Sequence, residues 1–481
     1  MKRLVKYVSL ILVLLCLGAN NFLLAQENQK KEEKKFTSLW EGKLKIGAVT
    51  LRLVIKVFKN DDGSLGAYLD SPDQNVKDIP ISSISFTEDS LKFESKTIQG
   101  KYAGVVIKNS ATIKGQWKQV TLDVPLDLKK IDKLVEVKRP QNPQKPYPYN
   151  DEEVTFENKS ANITLAGTFT YSKGDGKFPA VVLVTGSGPQ DRDESLMNHK
   201  PFLIISDYLT RNGIAVLRYD DRGIGKSKGN FAAATSEDFA TDALAAVEYL
   251  KTRKEVNPKK IGIAGHSEGG LIAPICAVNS KDVAFIVMLA GPGVSGKEIL
   301  ILQTELIMKA EGSKEEDIKK SVEENKSYYN IISEETDSTV MYKKFLAMYD
   351  KDVSKLTDEE KKKPEYSKES FDRAVKTLLS PWFRFFVKYD PWPTIEQIAV
   401  PVLALNGEKD LQVPPFQNLP KIEEALKVGG NKKFKTIELP GLNHLFQPAK
   451  TGGVSEYGNI ETTFSEDALK IMKDWILEIT K

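Results

Sequence analysis

The six residues Gly265-His266-Ser267-Glu268-Gly269-Gly270 carry the sharpest chemical signal in the chain. A strand-like run, Ile261–Ala264, precedes them, and an apolar helix-like stretch begins near Leu271. A serine at a strand-to-helix turn sits on a strained backbone, and glycines two residues either side let the two segments pass closely. Its hydroxyl then projects above the sheet, and the following helix offers its N-terminus to developing negative charge. That is the layout for nucleophilic attack on an acyl carbon, and the attack needs a base. The chain has three histidines, His199, His266 and His444. His266 adjoins the serine, and its side chain is expected to point away from the attack path into packing or a supporting hydrogen bond. His199 lies upstream, near an early loop. His444 sits in Gly441-Leu-Asn-His-Leu-Phe446, just after the last strand-like run, where the C-terminal edge of a sheet would deliver a base.

The base needs a carboxylate to orient its ring and stabilise the imidazolium. Asp410 follows the run Val400–Leu405 and the turn Asn406-Gly407, so it is presented at the same edge, with Glu408 as the competing acid. The tetrahedral intermediate needs backbone N–H donors, each worth about 2.7–4 kcal/mol of barrier. One is expected from Glu268, the residue after the serine. The other is expected from Thr185-Gly-Ser-Gly-Pro189, with the Ser187 amide favoured over that of Gly188. A phosphate-binding loop is the alternative for this glycine-rich stretch, but no Gly-Lys-Ser/Thr follows it at the spacing such a loop needs. The stretch Tyr219-Asp-Asp-Arg-Gly-Ile-Gly-Lys-Ser227 reads as structural, with charged residues pairing beneath the site and glycines making a tight turn. Trp382, Phe383, Phe385, Phe386 and Trp392 fit either an acyl pocket or packing between a cap and a sheet.

The elements that must hold these residues are legible in the patterning. From about Val154, strand-like runs alternate with helical ones: Ala180–Thr185, a helix Pro201–Asn212 ended by Gly213, Ile214–Tyr219, a helix Ser236–Thr252, Lys260–Gly265 and Phe285–Ala290. This alternation predicts an α/β domain with a mostly parallel sheet covered on both faces. Between about 295 and 396 the strand signal disappears. Helices are expected over Ile299–Glu311, Glu315–Ile331, Val340–Tyr349 and Ser370–Lys388, a helical cap inserted in the sheet. Strands resume at Val400–Leu405 and Lys435–Leu439, and a last helix capped by Ser465 carries Leu469, Met472, Trp475 and Ile476 at helical spacing.

Residues 36–138 are β-like instead. Val49, Leu51, Leu53, Ile55 and Val57 alternate with their neighbours before the turn Asn60-Asp-Asp-Gly63, and further short strands follow. A small antiparallel barrel or sandwich is expected. Four prolines in the stretch Arg139–Pro148 make residues 139–150 a stiff linker to a domain spanning 151–481.

The N-terminus reads as an export signal. Lys2, Arg3 and Lys6 precede the apolar run Val8–Leu17, and cleavage is expected after Ala25, ahead of a polar leader, residues 26–35. The asparagines at 20 and 21 cut the run short of a membrane span, so no stable anchor is expected after cleavage. Composition narrows the function classes. Of 481 residues, 41% are hydrophobic and 28% charged, which excludes a disordered chain. The formal charge of +3 belongs to the signal segment, and without it 66 Lys and Arg balance 66 Asp and Glu. No basic patch with interleaved aromatics points to nucleic acid. Two cysteines, Cys16 and Cys276, exclude a disulfide-stapled scaffold or a Cys-rich metal module.

With these residues in hand, the chain resembles the exported bacterial α/β-hydrolases of the EstD carboxylesterase type. The matching stretches are Gly186-Ser-Gly-Pro-Gln-Asp-Arg-Asp193, Arg218-Tyr-Asp-Asp-Arg-Gly223, Gly265–Gly270, Asn406-Gly-Glu-Lys-Asp-Leu-Gln-Val-Pro414 and Leu442-Asn-His-Leu-Phe446. The resemblance implies an α/β-hydrolase sheet with a helical cap, behind a small antiparallel β-rich domain. It implies a Ser267–Asp410–His444 triad, in the chain order expected for that sheet. It further implies short-chain carboxylic esters as small-molecule substrates and no cofactor or metal. Many hydrolases begin the oxyanion loop with His-Gly, where this chain has Thr185-Gly186. A serine aminopeptidase-like enzyme of the same fold is the competing expectation, and a binding protein with a vestigial hydrolase domain comes from another class.

Overall fold

The computed structural model describes residues 36–46, 49–72, 76–108, 110–119, 122–134, 138–362 and 366–481. The expected signal peptide and polar leader, residues 1–35, lie outside them. The chain divides into two compact units. One comprises the described residues up to 138 with 196–198 and 345–376, and the other comprises 139–195, 199–344 and 377–481.

In the first unit, ten strands build one antiparallel sheet: β1 (Phe36–Ile46), β2 (Val49–Lys59), β3 (Leu65–Ser71), β4 (Val76–Pro80), β5 (Ser83–Phe86), β6 (Ser90–Ser95), β7 (Gly100–Val106), β8 (Thr112–Gln119), β9 (Leu122–Pro125) and β10 (Leu128–Ile131). Their order is β4-β3-β2-β1-β10-β8-β7-β6-β5, with β9 paired to β8. Of the two forms expected, the sandwich does not occur. A single sheet gathers one core, to which Trp40, Ile55, Leu69, Phe93, Trp117 and Leu128 belong. Tight hairpins set the register: between β2 and β3 the Gly63 N–H closes on the Asn60 carbonyl at 2.9 Å, with Gly63 in the left-handed region at φ +79°.

The second unit carries an eight-stranded sheet of β11 (Asn150–Asn158), β12 (Ile163–Tyr171), β13 (Phe178–Val184), β14 (Ala215–Tyr219), β15 (Val256–His266), β16 (Phe285–Leu289), β17 (Val402–Gly407) and β18 (Phe434–Leu439). The order is β11-β12-β14-β13-β15-β16-β17-β18. Numbered within the sheet, that is 1-2-4-3-5-6-7-8. β12 pairs antiparallel with both β11 and β14, and the pairs from β14 onward are parallel. Central strands such as Phe285–Leu289 are buried at every position, as helices on both faces require. The helices of the described chain are α1 (Pro201–Arg211), α2 (Ser236–Lys251), α3 (Glu268–Asn279), α4 (Gly296–Ala310), α5 (Glu315–Glu334), α6 (Ser338–Val353), α7 (Asp358–Lys361), α8 (Lys368–Leu378), α9 (Pro381–Lys388), α10 (Trp392–Glu396), α11 (Pro415–Val428) and α12 (Glu466–Ile479), of which α7 and most of α6 and α8 belong to the first unit.

The seven helices α4–α10 fall between β16 and β17, over the stretch where the strand signal is absent. The single helix expected over 370–388 is two. Pro381 has no N–H to donate to the preceding turn, and Ser380 starts a new helix, its Oγ accepting from the Phe383 N–H at 3.3 Å. Thr235 and Asp238 form a reciprocal capping box on α2, and Ser465 caps α12, whose Leu469, Met472, Trp475 and Ile476 are buried as the spacing predicts. Arg139 donates to the carbonyls of Ile460 and Gly458 at 2.7 and 2.9 Å. Gln141 bonds both main-chain groups of Phe464, so the proline-rich stretch is anchored where it enters this unit.

Candidate active site

The parallel strands deliver their C-terminal ends to one edge, and the expected residues come off those ends. β15 ends at His266, Ser267 is the turn, and α3 begins at Glu268. Ser267 has φ +53° and ψ −114°, a conformation costing a non-glycine residue about 1–3 kcal/mol. The surroundings hold it there. Its N–H donates to the Leu289 carbonyl at 2.8 Å, and its carbonyl accepts from the Gly270 N–H at 2.9 Å. A Cβ on Gly265 would run into the Gly269 carbonyl, and one on Gly269 into the Val184 carbonyl, so both positions require glycine. Ser267 alone is partly exposed within 262–270.

β17 leads to Asp410 and β18 to His444. His444 Nδ1 lies 2.9 Å from Asp410 Oδ2, with the aspartate 1% and the histidine 4% exposed. Asp410 Oδ1 accepts from the Gln412 and Val413 N–H groups, each at 2.8 Å, and this fixes the carboxylate plane. The His444 loop is closed on itself: Asn443 Oδ1 accepts from the Leu445 and Gln447 amides, each at 3.0 Å. Glu408, the competing acid, accepts from the Gly441 N–H at 2.7 Å and supports the base of that loop. No hydrogen bond joins Ser267 Oγ to His444 Nε2 in this structure. Such contacts commonly tighten only when substrate arrives.

The glycine-rich loop after β13 comes to the same place. A Cβ on Gly186 would lie 3.2 Å from that of Ser267. The Gly186 N–H is taken by Glu194 Oε1 at 2.7 Å, whereas the Ser187, Gly188 and Glu268 amides meet no acceptor among the described residues. Asp221 holds the loop, accepting from Thr185 Oγ1 at 2.8 Å and the Gln190 N–H at 2.9 Å. Burial drives the Asp221 carboxyl well above the usual carboxylate range, and these two donors partly offset it. The neighbouring charges pair as expected of the Tyr219–Ser227 stretch: Arg192 clamps Asp220 at 2.8 Å, and Arg222 meets Asp242 at 2.7 Å.

The other two histidines are committed elsewhere. His199 is buried between Thr463 Oγ1 and the Tyr457 carbonyl, each 2.9 Å away, and burial with the Arg139 charge pushes its pKa down to about 4. His266 faces Glu194 and the main chain of His444. Two side chains at this edge carry no legible signal in the sequence. Glu194 follows directly on the Gly186–Asp193 stretch but belongs to no periodic pattern. The Glu268 carboxyl accepts from Ser236 Oγ at 2.6 Å and from Trp382 Nε1 of α9 at 2.7 Å. Burial raises the Glu268 pKa to about 7 against those two bonds. Of the aromatic cluster, Phe383 and Phe386 are buried, and Trp382 stacks on Phe386 at 5.3 Å. Among the described residues, no His, Cys, Asp and Glu side chains are grouped to hold a metal ion.

A family model described as Serine aminopeptidase, S33 (Hydrolase_4) matches residues 202–367, which include Ser267 and stop short of Asp410 and His444. Esterase EstD of Thermotoga maritima is 29% identical over 292 residues, 60% of this chain and 60% of that protein. Putative hydrolase YtaP of Bacillus subtilis is 35% identical over 120 residues, 21% of this chain and 39% of that protein. The chain thus spans less than two thirds of the curated relatives it matches. Among solved structures, a Pyrococcus furiosus esterase aligns with TM-score 0.40 at 18% identity, over 70% of this chain and 92% of that one. The 1-2-4-3-5-6-7-8 sheet, with its strand–serine–helix turn after the fifth strand, gives the chain an α/β-hydrolase fold, and in sequence it is similar to EstD-type esterases.

Proposed function

We propose that this α/β-hydrolase is a serine esterase acting on short-chain carboxylic esters, and that it is exported after cleavage behind Ala25. The observation that carries the proposal is the 2.9 Å bond between His444 Nδ1 and Asp410 Oδ2, at the sheet edge where Ser267 turns. That bond leaves His444 Nε2 free to act as the base. Ser267 Oγ attacks the ester carbonyl as His444 takes its proton. Asp410 keeps the ring in the productive tautomer and stabilises the imidazolium. The oxyanion settles on the amides of Glu268 and Ser187, with Gly188 adjacent, all of them without an acceptor among the described residues. His444 then returns its proton to the leaving alcohol, and water repeats the sequence on the acyl-enzyme.

A serine aminopeptidase of the same fold is the second reading, favoured by the description of the matching family model. Wild type and Ser267→Ala are compared on p-nitrophenyl esters of increasing acyl length and on aminoacyl anilides. Turnover of short esters that the substitution abolishes is expected. Ester turnover that is absent, or unaffected by the substitution, refutes the esterase, and preferential anilide cleavage selects the peptidase.

A further inference from the structure

His266 is one of the two histidines that the proposed reaction leaves unused, and its two partners fix its protonation. Nε2 lies 3.0 Å from the main-chain carbonyl of His444, and Nδ1 lies 2.9 Å from Glu194 Oε1. A carbonyl oxygen only accepts, so Nε2 must carry a proton. Glu194 Oε1 also accepts the Gly186 N–H at 2.7 Å, so this oxygen acts as an acceptor and holds no proton to offer Nδ1. Nδ1 must then carry a proton too. We infer that His266 is a standing imidazolium, ion-paired with Glu194, and that the pair is a positioning unit tying the His444 loop to the loop that carries the proposed oxyanion donors.

The backbone supports this placement. Glu194 sits in the left-handed region at φ +52°, a conformation a non-glycine residue adopts only when its surroundings hold it there. Glu194 is 5% exposed and His266 is 6% exposed, so neither charge is solvated by bulk water. Buried charges persist only when paired and hydrogen-bonded, and here each one is. The ionisable groups facing His266 are Glu194 after β13, His444 after β18 and Asp410 after β17. Burial works against the cation, but Glu194, the His444 carbonyl and Asp410 outweigh it and raise the His266 pKa above its ordinary value. The charge is therefore complete at acid pH and is lost only as pH rises through that raised value. The consequence for the site is geometric. One carboxylate oxygen fixes the Gly186 amide, next to Ser187, while the ring it charges holds the backbone of the proposed base. The pair thus connects both halves of the proposed machinery through two side chains.

The positioning role rests on the reading of His444 as the base, but the charge state does not, and the experiment separates the two. Ring 15N spectra of histidine-labelled protein contain three spin systems, assigned by their loss in His199→Gln and His444→Ala. The expected result is a His266 ring with both nitrogens protonated at neutral pH, losing a proton only above the range where an ordinary imidazole titrates. A singly protonated His266 ring at neutral pH overturns the inference, whatever the turnover. Glu194→Gln keeps the shape and an acceptor for Gly186 but removes the charge. It is expected to return His266 to the neutral ring and to lower kcat by about a hundredfold with KM held within a few-fold, the signature of a displaced catalytic group. Glu194→Asp is expected to recover part of that loss. An unchanged kcat and pH profile in Glu194→Gln refutes the positioning role. If that variant does not fold, the wild-type spectra still decide the charge. A charged His266 in a protein that turns over no ester leaves the ion pair standing and removes the esterase.

Discussion

Glu268 should make the folded protein less stable as pH rises. Its carboxyl is 2% exposed and its pKa is raised to about 7 from 4.5, because burial disfavours the anion more than the Ser236 and Trp382 bonds favour it. Between those values the folded chain holds a proton that the unfolded chain has released, so unfolding becomes easier as pH increases. At 1.36 kcal/mol per pH unit, the interval from 4.5 to about 7 amounts to about 3 kcal/mol, absent at the acid end and constant above it. Glu268→Gln keeps an oxygen for both donors and cannot ionise. Thermal unfolding of wild type and Glu268→Gln should therefore differ by a gap that widens in favour of the variant, reaching about 5 °C above neutral pH. Because only the change in the gap with pH counts, any pH-independent effect of the amide cancels. A gap that stays flat from pH 4.5 upward would refute the reasoning.

Three further perturbations probe other parts of the site. In Gly269→Ala the new methyl meets the Val184 carbonyl, so the serine turn is displaced and turnover is lost in whatever folds, read by kinetics beside circular dichroism. Asp410→Asn retains an acceptor for the Gln412 and Val413 amides but presents His444 with the wrong partner, and kcat should fall by about 10⁴ with an unchanged melting profile. Arg222→Ala leaves the buried Asp242 without its 2.7 Å cationic partner, and a loss of about 3–5 kcal/mol in stability should appear as a depressed melting temperature.

The proposed catalytic residues are legible in the sequence because their chemistry forces local spacing. Gly265 and Gly269 announce the turn, and with three histidines in the chain the choice of base is narrow. Strand and helix alternation points to the sheet, since buried parallel strands leave continuous apolar runs such as Phe285–Leu289. Elsewhere the local signal is weaker than the tertiary one. The helix over 415–428 has Pro415 at its first position and Leu419, Ile422, Ala425 and Leu426 on one buried face, but Pro420 inside it reads locally as a breaker. The break at Pro381 is hidden by aromatic and apolar residues at helical spacing on both sides. The Glu194–His266 contact joins a loop residue to the end of β15, 72 positions away, and no periodicity reports which way a loop side chain points.

The proposed reaction needs Ser267 as its nucleophile, and covalent trapping tests that without assuming a substrate. Wild-type protein treated with a fluorophosphonate should gain a single adduct, mapped by peptide mass spectrometry to the segment containing Ser267. The adduct should be absent from Ser267→Ala and slow to form in Asp410→Asn. Folded wild-type protein that gains no adduct, or one that maps to another residue, would contradict the account.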